Sequence, residues 1–226
     1  MTKIKLPSHV QCLLFDMDGT LVDTEPVGPQ NFVNQLAKHS IETNPDEIEF
    51  FTNIWRRMNT KIGTDEYLAQ TVERYQIDMS VEDYIKEFYE LYVVTITDSS
   101  QLIGADHFIK AAKASGKYKM AIVTASKLIQ VHAVLERHNW GGIFDLIVSE
   151  ENIINNKPDP QPFNFALEKL RVSSNDAIVF EDSKNGSAAG AAAGCYVIGL
   201  SAGNVEKQDL SKATVIVDSF NDISID

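Results

Sequence analysis

From about residue 105 onward, short apolar runs of strand length alternate with stretches that carry apolar residues at helical spacing, and this alternation most limits the folds open to the chain. A helix over 107–114 stops at Ser115-Gly116, and Lys119-Met-Ala-Ile-Val-Thr124 then reads as a strand. A helix over 127–138, an extended Phe144–Val148, a helix over 163–170 and a strand over 177–180 follow. The series closes with a helix over 186–193, a strand over 196–200 and a last strand over 213–217. Strands separated by helices of this length predict a parallel sheet with helices on both faces and right-handed crossovers. Val10–Phe15 supplies one more strand, placed far upstream.

Between these parts, residues 25–96 carry no strand-like run but four segments of helical period. Phe32-Val33-Leu36-Ala37 marks the first, and the second starts at Pro45 with Ile48, Phe51, Ile54, Trp55 and Met58. The third follows Gly63-Thr64 with Tyr67, Leu68, Val72 and Tyr75. Ser80-Val-Glu-Asp opens the fourth, where the Ser80 hydroxyl can accept from a first-turn amide. We therefore expect an α/β core from 1–24 and 97–226, interrupted by an all-helical domain over 25–96. At 226 residues the chain is long enough for both.

The formal net charge of −12 argues against a nucleic-acid or anionic-membrane surface, since both need clustered Lys and Arg. Cys12 and Cys195 are too few for a disulfide framework or a cysteine metal cluster and read as buried thiols. Lys3 and Lys5 precede an apolar run that Asp16 cuts too short for a signal peptide. The longest uncharged run, Asn185–Val205, is built from Ala, Gly, Ser and Asn and reads as a small-residue helix followed by a strand. A cytoplasmic location is the default expectation.

Chemistry-bearing residues fall where the expected strands end. Leu13-Leu-Phe-Asp16-Met-Asp18-Gly19-Thr20-Leu-Val-Asp23 runs an apolar strand into two carboxylates, and residues two apart leave a strand on the same side. Gly19 would let the chain turn away. Thr124-Ala125-Ser126 offers a hydroxyl and free amides at a helix start, which suits phosphate oxygens. Asn156-Lys157-Pro158-Asp159-Pro160 holds an ammonium on a stiff loop. Val179-Phe-Glu181-Asp182-Ser-Lys-Asn-Gly186 again sends acids out of an apolar strand. Carboxylates converging from neighbouring strands make an all-oxygen site suited to Mg²⁺, and without a cation they would repel one another.

Taken in order, Asp16-x-Asp18-Gly-Thr, Thr124, Lys157-Pro and Glu181-Asp182-Ser-x-x-Gly186 resemble the motif series of the haloacid dehalogenase-like superfamily. The tail Ala188-Ala189 through Ala192-Ala193-Gly194-Cys195 resembles its β-phosphoglucomutase-like and phosphoglycolate phosphatase-like members. The resemblance implies a Rossmann-like parallel-sheet core with an inserted all-helical cap domain, and a Mg²⁺-dependent phosphatase acting on a small phosphorylated metabolite. It implies Asp16 as nucleophile forming an aspartyl-phosphate, and Asp18 as the acid that protonates the leaving alkoxide and then the base that activates water. Mg²⁺ would be held by Asp16, the Asp18 carbonyl and Asp182, with Glu181 helping directly or through water. Thr124, the Ala125 amide and Lys157 would hold the transferring group.

The second aspartate favours phosphate esters over the superfamily's dehalogenase and phosphonatase reactions. A sugar-phosphate mutase is the nearer rival. β-Phosphoglucomutase-like enzymes place a hinge histidine about twelve residues after the nucleophile, and that position here is Gly28. A non-catalytic phosphometabolite-binding protein is the remaining alternative. For the substrate, Glu25, Ser126 and Lys127 are candidate contacts, while Trp55, Arg56, Arg57 and Met58 are cap residues that would face the cleft if they are not core. Hinges near Asp23–Pro29 and Thr97–Gly104 would let the cap close. The histidines lack metal-ligand spacing. A monomer or small homo-oligomer is expected.

Overall fold

The computed structural model describes residues 3–55, 63–96, 99–201 and 208–225. Two compact units emerge, one made of Met1–Asp23 with Ser100–Asp226 and the other of Thr24–Ser99. The first unit begins with β1 (Ile4–Lys5), β2 (Cys12–Phe15) and the short β3 (Val22–Asp23). β2 starts two residues later than its apolar run suggests, because Val10 is still in a turn, its N–H donating to Pro7 O at 3.1 Å.

The second unit is helical: α1 (Val27–Lys38), α2 (Pro45–Trp55), α3 (Thr64–Tyr75) and α4 (Val81–Thr95). Its core gathers Phe32 and Leu36 from α1, Phe51 and Ile54 from α2, Leu68 and Val72 from α3, and Tyr84 and Phe88 from α4. The spacing of these residues, three or four apart on each helix, is the stripe read in the sequence. Phe32 and Phe51 stack with ring centres 4.2 Å apart. Two buried amides tie α1 to α4: Asn31 Nδ2 donates to Phe88 O and Gln35 Nε2 to Tyr84 O, each at 2.7 Å. Each amide meets a carbonyl that would otherwise lack a second partner in a dry interior.

Back in the first unit, β4 (Ser100–Gln101) pairs antiparallel with β3, Val22 opposite Gln101 and Asp23 opposite Ser100. The alternation then runs α5 (Ala105–Ser115), β5 (Lys119–Val123), α6 (Leu128–Arg137), β6 (Leu146–Val148), α7 (Gln161–Leu170), β7 (Ala177–Glu181), α8 (Lys184–Ala192), β8 (Tyr196–Leu200), β9 (Val215–Val217) and β10 (Ile223–Ser224). Six strands form a parallel sheet in the order β6-β5-β2-β7-β8-β9, while β1 and β10 pair apart from it. The fold class is the expected parallel α/β sheet with helical insertion. Boundaries differ from the sequence reading at several ends. Phe144 stays outside β6, β9 begins at Val215, and α8 starts at Lys184 rather than Gly186 because the Ser183 hydroxyl caps it by accepting from Gly186 N.

Strand pleating splits β2 between two cores. Cys12 and Leu14 join Phe163, Ala166 and Leu167 of α7 and Ala189 of α8 on one face. On the other, Phe15 stacks on Phe180 at 4.8 Å and meets Phe108 of α5 edge-on at 6.2 Å. With all four residues of β2 buried, its sequence must be apolar throughout. The chain builds outward from β2 through β5 to β6, then returns to its other side for β7, β8 and β9. Such a reversal opens a crevice beyond the carboxyl ends of the central strands. No helix among the described residues is long and apolar enough to cross a membrane.

Candidate active site

At the switch point, β2 delivers Asp16 and β7 delivers Glu181 and Asp182, since Phe15 lies opposite Phe180 in the register. One carboxylate oxygen from each of the three lies within 4.8 Å of the others, and all three residues are buried. The loop after β6 brings Lys157, whose Nζ donates to Asp16 Oδ1 at 2.6 Å, Glu181 Oε1 at 2.7 Å and Val123 O at 2.8 Å. All three ammonium protons are thus committed.

Burial pushes the Asp16 carboxyl well above the ordinary carboxylate range; Lys157 opposes this, while Glu181, Asp182 and Asp18 add to it. Burial also works against the Lys157 ammonium, but the charges and hydrogen bonds of Asp16 and Glu181 outweigh it and keep the lysine protonated. One ammonium against this many acids leaves negative charge uncompensated in a dry place. A hard divalent cation with oxygen ligands would relieve it, and the donor set fits one.

Two glycines make the crowding feasible. Gly19 has φ +82°, and a Cβ there would overlap the Asp182 carboxylate. At Gly186 a Cβ would overlap the Glu181 carboxylate. Hydroxyls then fix the acids. Thr20 Oγ1 donates to Asp182 Oδ1 at 2.7 Å. Glu181 Oε2 accepts from Ser183 Oγ at 2.9 Å and from the N–H groups of Asp182 and Ser183 at 3.1 Å. Sequence reasoning assigned no role to Thr20 or Ser183. Their signal was position, a hydroxyl within two residues of the carboxylates in both acidic motifs.

Asp18 is drawn to a different set of partners. Its Oδ2 accepts from Ser126 Oγ at 2.7 Å and from Thr124 Oγ1 at 3.2 Å, so the loop after β5 meets the loop after β2. Its carboxylate is not one of the three clustered ligand groups. Ala125 and Lys127 are half-buried in the same loop, and Lys127 N donates to Gln130 Oε1 at 2.9 Å at the start of α6.

Glu25 belongs to the helical unit, in the turn ahead of α1. Trp55, at the end of α2, packs among Phe51, Phe88 and Tyr92 with ring centres 6.0–6.4 Å away, which makes it part of that unit's core. Its indole also fills the space beside Gly28, where a Cβ would overlap it. Arg56, Arg57, Met58 and Thr97 lie outside the described residues.

Residues 13–200 match the haloacid dehalogenase-like hydrolase family, a span that includes every acid, hydroxyl and lysine just described. The chain belongs to that family. Among relatives, the bifunctional riboflavin kinase/FMN phosphatase of Arabidopsis thaliana is 27% identical over 218 residues, covering 95% of this chain and 55% of that protein. The chain therefore spans about half the length of that relative. The phosphorylated carbohydrates phosphatase of Thermotoga maritima is 27% identical over 189 residues, covering 82% of each chain. A crystal structure of a putative β-phosphoglucomutase from Thermotoga maritima superposes with a TM-score of 0.74 at 25% identity, covering 92% of this chain and 94% of the other.

Proposed function

We propose that this haloacid dehalogenase-like hydrolase is a Mg²⁺-dependent phosphatase that hydrolyses a small phosphomonoester, a sugar phosphate or similar metabolite, through an aspartyl-phosphate on Asp16. One observation supports this above the rest: the Asp16 carboxylate sits beside those of Glu181 and Asp182 and under the Lys157 ammonium, with a second aspartate two residues on.

In the first half-reaction a carboxylate oxygen of Asp16 forms a bond to phosphorus, the ester P–O bond breaks, and Asp18 gives its proton to the departing alkoxide. In the second, water attacks the phosphorus, Asp18 takes its proton, and the Asp16–phosphorus bond breaks. Thr124, the Ala125 amide and Lys157 hold the phosphoryl group, and Ser126 and Lys127 are the proposed contacts for the rest of the substrate. Asp16, Asp182 and the carbonyl of Asp18 would hold a divalent cation, with Glu181 helping directly or through water, and the bound cation would offset the repulsion between Asp16 and an anionic phosphate.

The relatives named as phosphatases support the hydrolytic reading. The mutase reading has the Thermotoga structure in its favour. Against it stands Gly28: with the Trp55 indole filling the adjoining space, no histidine side chain fits there without displacing the tryptophan. We further propose a cytoplasmic monomer or small homo-oligomer that takes a free metabolite. The net charge of −12 disfavours nucleic acid or an anionic membrane as its partner.

The test is phosphate release from a panel of phosphomonoesters with and without Mg²⁺, wild type against Asp16→Asn. Metal-dependent release that Asp16→Asn reduces by at least about 10³-fold is expected. Isomerisation of a sugar phosphate without release would transfer the assignment to the mutase, and binding without turnover would leave a phosphometabolite-binding protein.

A further inference from the structure

The start of a helix attracts anions because its first amides point outward without a carbonyl partner. Thr124-Ala125-Ser126 stands at such a start, ahead of α6, but the chain itself uses the amides that follow Ala125. Ser126 N donates to Thr124 Oγ1 at 3.0 Å and Lys127 N to Gln130 Oε1 at 2.9 Å. Leu128 N, the first amide of α6, donates to both carboxylate oxygens of Glu151, at 3.1 and 3.2 Å. Glu151 is carried there by the 3-10 turn Glu150–Asn152, which ties itself to the same loop through Glu150 N and Ser126 O at 3.0 Å. Burial works against the Glu151 carboxylate, but hydrogen bonds from Ser149 and from the amides of Glu151 and Leu128, together with the Lys127 charge, outweigh it and keep the group ionised. α6 therefore begins on an anion of the chain's own. Beside it the surface is apolar, with Leu128 and Ile129 40% and 38% exposed.

We propose that Glu151 is a specificity-determining residue that closes the start of α6 to a second anionic group, so that the preferred substrate is a phosphomonoester whose alcohol part carries neither a carboxylate nor a further phosphate. This inference rests on the phosphatase reading and deepens it, because Ser126 and Lys127, the proposed contacts for the rest of the substrate, come directly before Leu128. A second anion placed there meets a fixed negative charge and finds the amides of Ser126, Lys127 and Leu128 taken. An alcohol part bearing only hydroxyls meets no such repulsion. The Lys127 ammonium does not reverse the balance, since it lies close enough to Glu151 for the two charges to offset each other.

Matched esters that differ by one carboxylate test this: glycerol 3-phosphate against 3-phosphoglycerate, 2-hydroxyethyl phosphate against 2-phosphoglycolate, and glucose 6-phosphate against 6-phosphogluconate. Each is read as kcat/KM, or as a competitive inhibition constant where a member is not turned over. The wild type is expected to favour the neutral member of each pair by at least about 10-fold. Glu151→Gln keeps an acceptor for Leu128 N and removes the charge. It should cut that preference about 10-fold through tighter binding of the carboxylate esters, while kcat on a neutral ester changes less than about 2-fold, which also shows that the variant is folded. The wild-type preference should shrink as salt is raised, which a purely structural cap would not produce. A wild type that favours the carboxylate esters, a preference that Glu151→Gln leaves unchanged, or equal losses on both members would overturn the proposal and leave Glu151 as a helix cap. A wild type that releases phosphate from no ester of these pairs or of the wider panel would overturn the phosphatase reading itself, and with it this inference.

Discussion

At the residue scale the acids explain little by themselves; their partners explain how they can coexist. Thr20 has no chemistry to perform, yet its hydroxyl orients Asp182 from a fully buried position. Thr20→Val keeps the shape and removes that hydrogen bond, and we expect Mg²⁺ affinity to fall about 10- to 100-fold, read by calorimetric titration of the metal alone. An unchanged affinity would mean that Asp182 is held by its backbone. The acids of the cluster were legible in the sequence because carboxylates that follow an apolar strand have few structural reasons to be there. Thr20 and Ser183 were not, since a hydroxyl beside an acid is also an ordinary turn residue and only the folded distances separate the two. For Trp55 the helical spacing favoured core over cleft, and the structure packs it against Gly28, Phe51 and Phe88.

At the scale of elements, apolar periodicity located nearly every helix and the central strands, and it failed at their ends. The start of α8 depends on one hydroxyl, that of Ser183, whereas the apolar pattern starts later. β1, β3, β4 and β10 are two residues each, too short to carry any period. Where a cap was legible it was legible by chemistry. Ser80 precedes α4, its hydroxyl accepts from Asp83 N at 3.0 Å, and it donates to the Asp83 carboxylate at 2.6 Å. Ser80→Ala should destabilise the helical unit by about 1 kcal/mol, seen as an earlier thermal transition. Activity at a temperature well below that transition should not change, because the Ser80 hydroxyl bonds to Asp83 and to none of Asp16, Glu181 and Asp182.

For the molecule as a whole, the buried acids set function against stability. Because the Asp16 pKa is raised in the fold, the metal-free native state holds on to a proton that the unfolded chain gives up, and metal-free stability falls as pH rises through the native value. Asp16→Asn removes that conflict. We expect it to raise the metal-free stability by on the order of 1 kcal/mol while abolishing turnover. Mg²⁺ at a hundred times its dissociation constant should stabilise the wild type by about 2.7 kcal/mol, and the variant much less. Differential scanning calorimetry with and without the metal decides both, and a variant less stable than the metal-free wild type would contradict the account. The short ribbon of β3 and β4 has a wider consequence. Chain leaves the sheet-bearing unit at Asp23 and re-enters it at Ser100, and those two residues face each other across the ribbon. Whatever lies between them is tied off like a bag at its neck. Doubling the length of such an excursion adds only about 0.6 kcal/mol of closure entropy, so the sheet can host insertions of very different size and keep its own chemistry while the excursion is exchanged.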